Sequence, residues 1–324
     1  IKIACWFELV FVNGIGLPFN TGVVIYVLAI AVGLFYGIRY SIEKCKPMLN
    51  LALTCFMVFI IGYSSYAMVV IRSVSNPPID ENSPDNVFDL LAYINREQYG
   101  DSPLIYGQYY NAPLVETKQG DPIYFQDKEK GMYVLVDYKQ KYVYDKRFCT
   151  LFPRMHSSTR SYFPSLYESW GGKPAGRTYN VDGKRITAPS MKNNLQYFFS
   201  YQLNHMYWRY FMWNFAGRQN DEQGYGDVAD GNWISGIKFL DEIRLGDQDY
   251  LPSRTKDSPA HNKYYLLPFL LGLVGLIYQY CKGKQGKQDF SIVMILFFMT
   301  GIAIILFLNQ SPLEPRERDY AYAG

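Results

Sequence analysis

Four long stretches of this sequence are almost free of charge. They are residues 22–38 (GVVIYVLAIAVGLFYGI), 49–71 (LNLALTCFMVFIIGYSSYAMVVI), 264–280 (YYLLPFLLGLVGLIYQY) and 290–308 (FSIVMILFFMTGIAIILFL). A helix needs about 20 apolar residues to cross about 30 Å of hydrocarbon, and a buried helix of a soluble core is usually shorter. Inside lipid every backbone N–H and C=O must be satisfied within the segment, which leaves the helix as the form such runs take. The pattern predicts an α-helical integral membrane protein with about four spans. Residues 21–72 and 263–309 each carry a pair of them. The polar stretch between, residues 73–262, is an inserted extracytoplasmic α/β domain.

Two segments flank this frame. Residues 1–20 begin apolar, but Lys2 and Glu8 interrupt the run and Asn13-Gly14-Ile15-Gly16-Leu17-Pro18 breaks a helix. They are expected to associate with the membrane or to end a preceding span. Residues 310–324 start an external loop. The chain opens at Ile1 within an apolar run and is read as an internal piece of a longer protein.

Orientation follows from the basic residues. The loop between the first two spans holds Arg39, Lys44 and Lys46, and the loop between the last two holds Lys282, Lys284 and Lys287. Both are short, and both are expected on the cytoplasmic side. Residues 73–262 then face the periplasm of a bacterial cytoplasmic (inner) membrane, in a multi-pass protein. The formal net charge of +3 is too small to argue for nucleic acid. Cys149 is alone in the polar middle, and the other four cysteines lie in or beside apolar runs. They read as unpaired small apolar side chains.

In the middle domain, Ser83-Pro84 ahead of DNVFDLLAYINREQYG predicts a helix. Ser83 is its N-cap, Pro84 its first residue, and Gly100 its stop. Val87, Leu90, Leu91 and Ile94 form its apolar stripe. Residues 103–107 predict a short strand. Residues 132–137 and 141–145 predict a hairpin turning at Tyr138 to Gln140. Residues 149–190 look loop-like.

Residues 195–215 are the most distinctive stretch. Between Tyr197 and Phe215, ten of nineteen residues are aromatic, and the apolar positions run nearly all round a helix. Such a helix is buried or lies at a membrane interface, where Trp and Tyr are favoured. A fifth span would have to satisfy Asn204, His205, Arg209 and Asn214 inside lipid, which is expensive. An interfacial helix packed on the spans is the better expectation. The following DEQGYGDVADGN (221–232) resembles a calcium loop only loosely and lacks the EF-hand spacing.

Three polar clusters are expected at the outer membrane surface. One holds Asp80 and Glu81, a second Arg209, Arg218 and Asp221, and the third Glu314, Arg316 and Arg318. Read plainly, they are interface anchors and salt bridges. Arginine also grips phosphate with two parallel hydrogen bonds, so these residues are candidates to face a lipid phosphate or its substrate. Tyr207, Trp208 and Trp213 are candidates for sugar stacking or for the interface. The sequence contains no GxSxG, P-loop, HExxH or GxGxxG motif, and its three histidines are far apart. No metal site and no cofactor are expected.

The run from Met206 to Asp221 (MYWRYFMWNFAGRQND) resembles a signature of a large membrane-protein family of Bacteroidetes-type bacteria. So do Asn76 to Asn82 (NPPIDEN), Arg96 to Gly100 (REQYG), Gly231 to Gly236 (GNWISG) and Glu314 to Tyr320 (EPRERDY). The family is a domain of unknown function labelled protein O-mannosyltransferase-like, and it is similar to the GT-C class of glycosyltransferases. The resemblance implies a lipid-linked sugar as donor. A sugar, mannose by the label, would pass from polyprenyl phosphate to an extracytoplasmic acceptor such as a protein Ser/Thr hydroxyl. In that class the catalytic carboxylate usually sits in an early external loop, which this chain is read as lacking, so no catalytic residue is assigned. Membrane lipid, the polyprenyl-phosphate sugar and a protein acceptor are the implied partners. The competing expectation is a non-catalytic, membrane-anchored binding or envelope-assembly module.

Overall fold

A computed structural model describes residues 1–80, 82–95, 97–100 and 102–313. Contacts divide the chain into two units. One comprises Ile1–Asp101 with Thr117–Lys141, and the other Ser102–Glu116 with Tyr142–Gly324. Three of the four expected spans are helices long and apolar enough to cross a membrane: Thr21–Glu43, Pro47–Val74 and Gly283–Leu308. They associate the chain with a membrane. The fourth expected segment, 264–280, is the shorter helix Leu267–Cys281. At 1.5 Å per residue it is about 22 Å long. Its start is set by Tyr265 and Leu266, whose φ of 52° and 59° are left-handed and stop a helix from beginning earlier.

In the first unit, residues 1–20 form a helix, Lys2–Leu9, that continues as the wider turn Val10–Gly14. Glu8 is fully buried. Its carboxylate accepts from Asn20 N at 2.5 Å and Val23 N at 3.1 Å, and from the Tyr133 hydroxyl at 3.2 Å. A carboxylate at a helix N-terminus satisfies free N–H groups and meets the positive end of the helix dipole. The first span is therefore capped by a side chain from the preceding helix. Gly22 makes room for this, since a methyl group there would overlap the Glu8 backbone. Asn13 acts as a piece of strand: its amide donates to Tyr133 O at 2.7 Å and its oxygen accepts from Tyr133 N at 2.9 Å.

The helix expected after Ser83 is shorter and capped elsewhere. It runs Val87–Ile94, and the Asn86 side chain accepts from Phe88 N and Asp89 N. Ser83 has φ of 39°, outside the extended region that an N-cap needs. The expected hairpin also differs. Strands β1 (Tyr106–Gln108), β2 (Leu114–Asp127) and β3 (Met132–Tyr144) are followed by β4 (Cys149–Leu151). β3 passes straight through Tyr138 to Gln140 and pairs with β2. The turn lies at 128–131, where Asp127 accepts from Glu129 N and Lys130 N, both at 3.1 Å, and Gly131 takes φ of 66°. The Asx turn outcompetes a break in the apolar alternation that carries no turn residue.

The second unit contains β1 and β4, paired antiparallel, and a small hairpin of β5 (Thr178–Val181) and β6 (Lys184–Thr187). A helix, Phe163–Gly171, also forms in this unit, so the stretch read as loop-like is partly ordered into elements. The aromatic stretch is one helical rod from Met191 through Phe215. It is opened by a capping box between Ser190 and Asn193 and is π-helical over Phe198–Trp208. Its cluster with Tyr109, Tyr110, Met155, Phe163 and Tyr167 is the core of the α/β part.

The end of the last span is tied to this rod by buried amides. Asn309, with φ of 43°, ends the helix. Its amide nitrogen donates to Pro103 O at 2.9 Å and Pro153 O at 2.8 Å. Its oxygen accepts from Gln202 Nε2 at 3.2 Å, and Gln202 also donates to Gln310 O at 2.8 Å. The Tyr197 hydroxyl donates to Gln310 O at 3.2 Å, and Leu313 N donates to the Tyr201 hydroxyl at 3.0 Å. Arg154, 1% exposed, donates to Leu306 O at 3.0 Å and lies 3.8 Å over the Phe152 ring. A cation at that carbonyl complements the negative helix end. Burial lowers the Arg154 pKa to about 10.

Asn309→Ala strips two buried carbonyls of their donor. Each unsatisfied group costs about 1–3 kcal/mol, so the variant loses roughly 3 kcal/mol. Denaturant unfolding of the protein in detergent checks this, and a change below about 0.5 kcal/mol contradicts the network's role.

Candidate functional site

The rod carries two columns of rings at i, i+4 spacing. The first is Tyr197, Tyr201, His205, Arg209 and Trp213. Tyr197 and Tyr201 stack at 5.2 Å, Tyr201 and His205 at 5.6 Å, and the Arg209 guanidinium lies 4.9 Å from the Trp213 ring. The second is Tyr207, Phe211 and Phe215, stacked at 6.4 Å and 4.5 Å. The second column meets the apolar helices: Phe211 is 5.6 Å from Phe297 and 6.4 Å from Phe269. A methyl group on Gly301 would overlap the Tyr207 ring. A helix with a protein partner on two sides reads as apolar nearly all round, which is the sequence pattern.

At the foot of the first column two guanidiniums share one indole. The Arg218 carbon is 4.2 Å from the Trp213 ring, alongside Arg209 at 4.9 Å. Such contacts contribute about 0.5–1 kcal/mol each at exposed sites and about 2 kcal/mol when desolvated. Arg209 is 8% exposed; its Nε donates to His205 O at 2.8 Å and its Nη1 to Gly231 O at 3.0 Å. Arg218 is placed by the pairing of β7 (Gly217–Arg218) with β8 (Asn262–Lys263), and its backbone N donates to Asn262 Oδ1 at 2.9 Å. Among the described residues, two buried donors of this stack, Arg218 Nε and Trp213 Nε1, have no hydrogen-bond partner. Buried donors in native proteins nearly always have a partner, so each is free to donate to a group outside the described residues, such as a water or an anion.

The loop after Arg218 is held by its amides together with its acids. Gln219 donates to Val228 O at 3.0 Å and accepts from the Asn232 amide at 3.1 Å. Asn220 donates to Asp230 at 2.9 Å and accepts from Gly231 N at 2.8 Å. Asp227 accepts from Asp230 N at 2.9 Å, and Arg254 pairs with Glu222 at 3.1 Å. Gly231 brings the loop onto Arg209: at φ of 65°, a methyl group there would sit 2.7 Å from Glu222 O and 3.1 Å from Arg209 Nη1.

Against the upper face of Arg209 lies a cavity of about 50 Å³, lined by Leu166, Trp170, Tyr201, His205, Gln223–Tyr225, Pro312 and Leu313. It admits a few ordered waters but not a sugar ring. Burial, and then the Arg209 charge, lower the His205 pKa to about 3, so the imidazole is neutral.

The structure thus brings Arg209, Arg218 and Trp213 together. Asp221 lies exposed on the loop and accepts from Ser258 Oγ at 3.1 Å. Tyr207 and Trp208 stand on the side of the rod toward the apolar helices, with Trp208 6.4 Å from Phe269. Asp80 belongs to the first unit, where it accepts from Ser73 Oγ at 2.8 Å. Glu81, Glu314, Arg316 and Arg318 lie outside the described residues. Sequence reasoning missed Trp170, Tyr201 and His205. The recurrence of Tyr197, Tyr201, His205, Arg209 and Trp213 every fourth position was the signal that could have found the last two.

Buried histidine makes this unit acid-sensitive. Burial pushes His156 down to about 4, and it is 6% exposed beside Arg154 and Asn309. The folded state holds the imidazole neutral, whereas the unfolded chain binds a proton below about pH 6.5. The contribution is therefore complete above pH 6.5 and is lost as pH falls toward 4, at about 1.4 kcal/mol per pH unit. His205 acts with the same sign. Thermal unfolding from pH 7 to 4.5 is expected to show a falling Tm, with a shallower fall in His156→Gln.

A family of unknown function, DUF8416, matches residues 100–199, less than half of the chain. That segment holds β1 to β6 and the first part of the aromatic rod. No curated protein and no solved structure matches the chain.

Proposed function

We propose that this chain is part of a membrane glycosyltransferase that moves a sugar, mannose by the resemblance, from a polyprenyl-phosphate carrier to an extracytoplasmic acceptor hydroxyl. The observation that carries the reading is the pair of guanidiniums on Trp213, with two buried donors, Arg218 Nε and Trp213 Nε1, that lack a partner among the described residues. In such a transfer the acceptor oxygen forms a bond to the sugar's anomeric carbon. The bond from that carbon to the phosphate oxygen breaks, and the phosphate leaves with the electron pair. The hydroxyl proton passes to a base, for which no residue is assigned here. Fixed guanidiniums stabilise a leaving phosphate because they stay charged and offer paired N–H groups.

Topology supports the same reading. The turns 44–46 and 282 join paired apolar helices and lie in the basic segments Arg39 to Lys46 and Lys282 to Lys287. Basic loops favour the cytoplasmic side, and as part of this proposal we assign residues 73–262 and the arginine stack to the periplasmic side of a bacterial inner membrane. The helix Leu267–Cys281 runs beside Gly283–Leu308, with Tyr280 and Phe290 5.4 Å apart. Lengthened by its flanking tyrosines, it serves as the fourth span.

In the full-length protein reconstituted with a polyprenyl-phosphate sugar, Arg218→Ala is expected to lower transfer by about 100-fold. Arg218→Lys, which keeps the charge but not the planar fork, should retain part of it. Unchanged transfer in Arg218→Ala removes the assigned role and leaves the non-catalytic binding module as the better reading.

A further inference from the structure

Away from the arginine stack, the second unit exposes an apolar face on the helix Lys238–Leu245. Phe239 and Ile243 are 70% and 71% exposed, and Ile237 and Leu240 are 40% and 43% exposed. Phe239 and Ile243 are four residues apart and share one helix face, while Asp241 and Leu245 turn inward and are buried. Leaving a Phe or Ile in water forgoes about 1.5–3 kcal/mol of burial each, so a contiguous face of this kind marks a contact surface.

The helix is held rigidly. Asp241 Oδ1 accepts from Ser235 N at 2.7 Å and Ser235 Oγ at 3.0 Å, and Oδ2 accepts from Gly236 N at 2.8 Å. Gly236 in turn abuts the place where the chain passes into apolar sequence. A methyl group there would lie 2.9 Å from Lys263 Cβ and 3.1 Å from Tyr265 Cε1. Tyr264 and Tyr265 lead directly into Leu267–Cys281, whose Leu271, Val274 and Ile277 are exposed for lipid contact. Paired tyrosines at the end of an apolar helix mark the headgroup level. The exposed face is thus fastened, through one glycine, to a residue of that level. Charged residues frame it: Lys238 pairs with Asp249 at 2.6 Å and with Glu242 at 3.6 Å, and Arg244 stacks 3.7 Å over Trp233. Apolar and aromatic residues flanked by Lys and Arg are the composition of a helix lying in a bilayer interface.

We infer that Lys238–Leu245 is a membrane-surface anchor. Phe239, Leu240 and Ile243 enter the headgroup–acyl boundary of the leaflet at which Tyr264 and Tyr265 stand. The helix fixes the height of the loop 217–236, and with it Arg218, above the lipid. This holds whether or not the protein is a transferase.

The test is site-directed spin labelling of the full chain in lipid nanodiscs, with the native cysteines replaced by serine. Nitroxides are placed at Phe239→Cys and Ile243→Cys, with Leu240→Cys as substitute if either fails to fold. Asp182→Cys, in the exposed β5–β6 turn, is the aqueous control. At 239 and 243, collisions with oxygen are expected to exceed those with a water-soluble nickel chelate several-fold, and the order should reverse at 182. Nickel access at 239 and 243 equal to that at 182 would place the face in water and overturn the inference. Low access to both probes would also overturn it, because the face would then be covered by protein, a second copy included.

Discussion

The second unit depends on a small set of buried amides at the end of its last apolar helix. Asn309 and Gln202 join Pro103, Pro153 and Gln310 through hydrogen bonds closed off from water. A buried carbonyl without a donor costs more than a made hydrogen bond contributes, so the geometry of such a node is exacting. Four segments distant in sequence meet there. The aromatic rod is consequently fixed against the final helix, and Pro312 and Leu313 are set into the wall of the cavity beside Arg209.

The rod then works as a partition. Its first column of rings closes the α/β core and ends on Trp213 with two guanidiniums. Its second column packs on Phe297, Phe269 and Gly301. Rings on both sides explain why residues 195–215 read as interfacial. They also explain why Arg209 can be nearly buried: its N–H groups are taken by the His205 and Gly231 carbonyls. Burying arginine this way is tolerable because the guanidinium is weakly hydrated and spreads its charge over a stacked face. The first unit solves its own burial problem with Glu8, a charge held by two N–H groups and a phenol at the head of the first span.

Much of this was legible in the sequence, and the misses have physical causes. Length and charge gave three of the four apolar helices, because crossing a bilayer imposes one strong rule on composition. The fourth came out shorter because Tyr265 and Leu266 adopt left-handed backbone that apolar character does not forecast. The Ser83-Pro84 signal was genuine N-cap chemistry at the wrong site. Asn86, three residues on, accepts from Phe88 N and Asp89 N, and local geometry alone decides between the two capping sites. The hairpin turn was misplaced because β2 alternates poorly, its residues 114–119 being exposed on both faces, so periodicity gave no reason to start a strand there. Gln219 and Asn220 scaffold the loop after Arg218, a role that only the folded loop reveals.

By itself the sequence determined the membrane association and the existence of the aromatic helix, and it offered Arg209, Arg218 and Trp213 as candidates. These follow from local rules: apolar length, ring content and fixed charge. Tertiary structure alone decided that Arg209 and Arg218 share one indole and that Asp80 lies in the other unit. It also decided that Asn309 holds the end of the last helix, and that Phe239 and Ile243 remain uncovered. Each of those depends on contacts between residues far apart in the chain, whose energy comes from burial and desolvation at the meeting point rather than from any pattern along it.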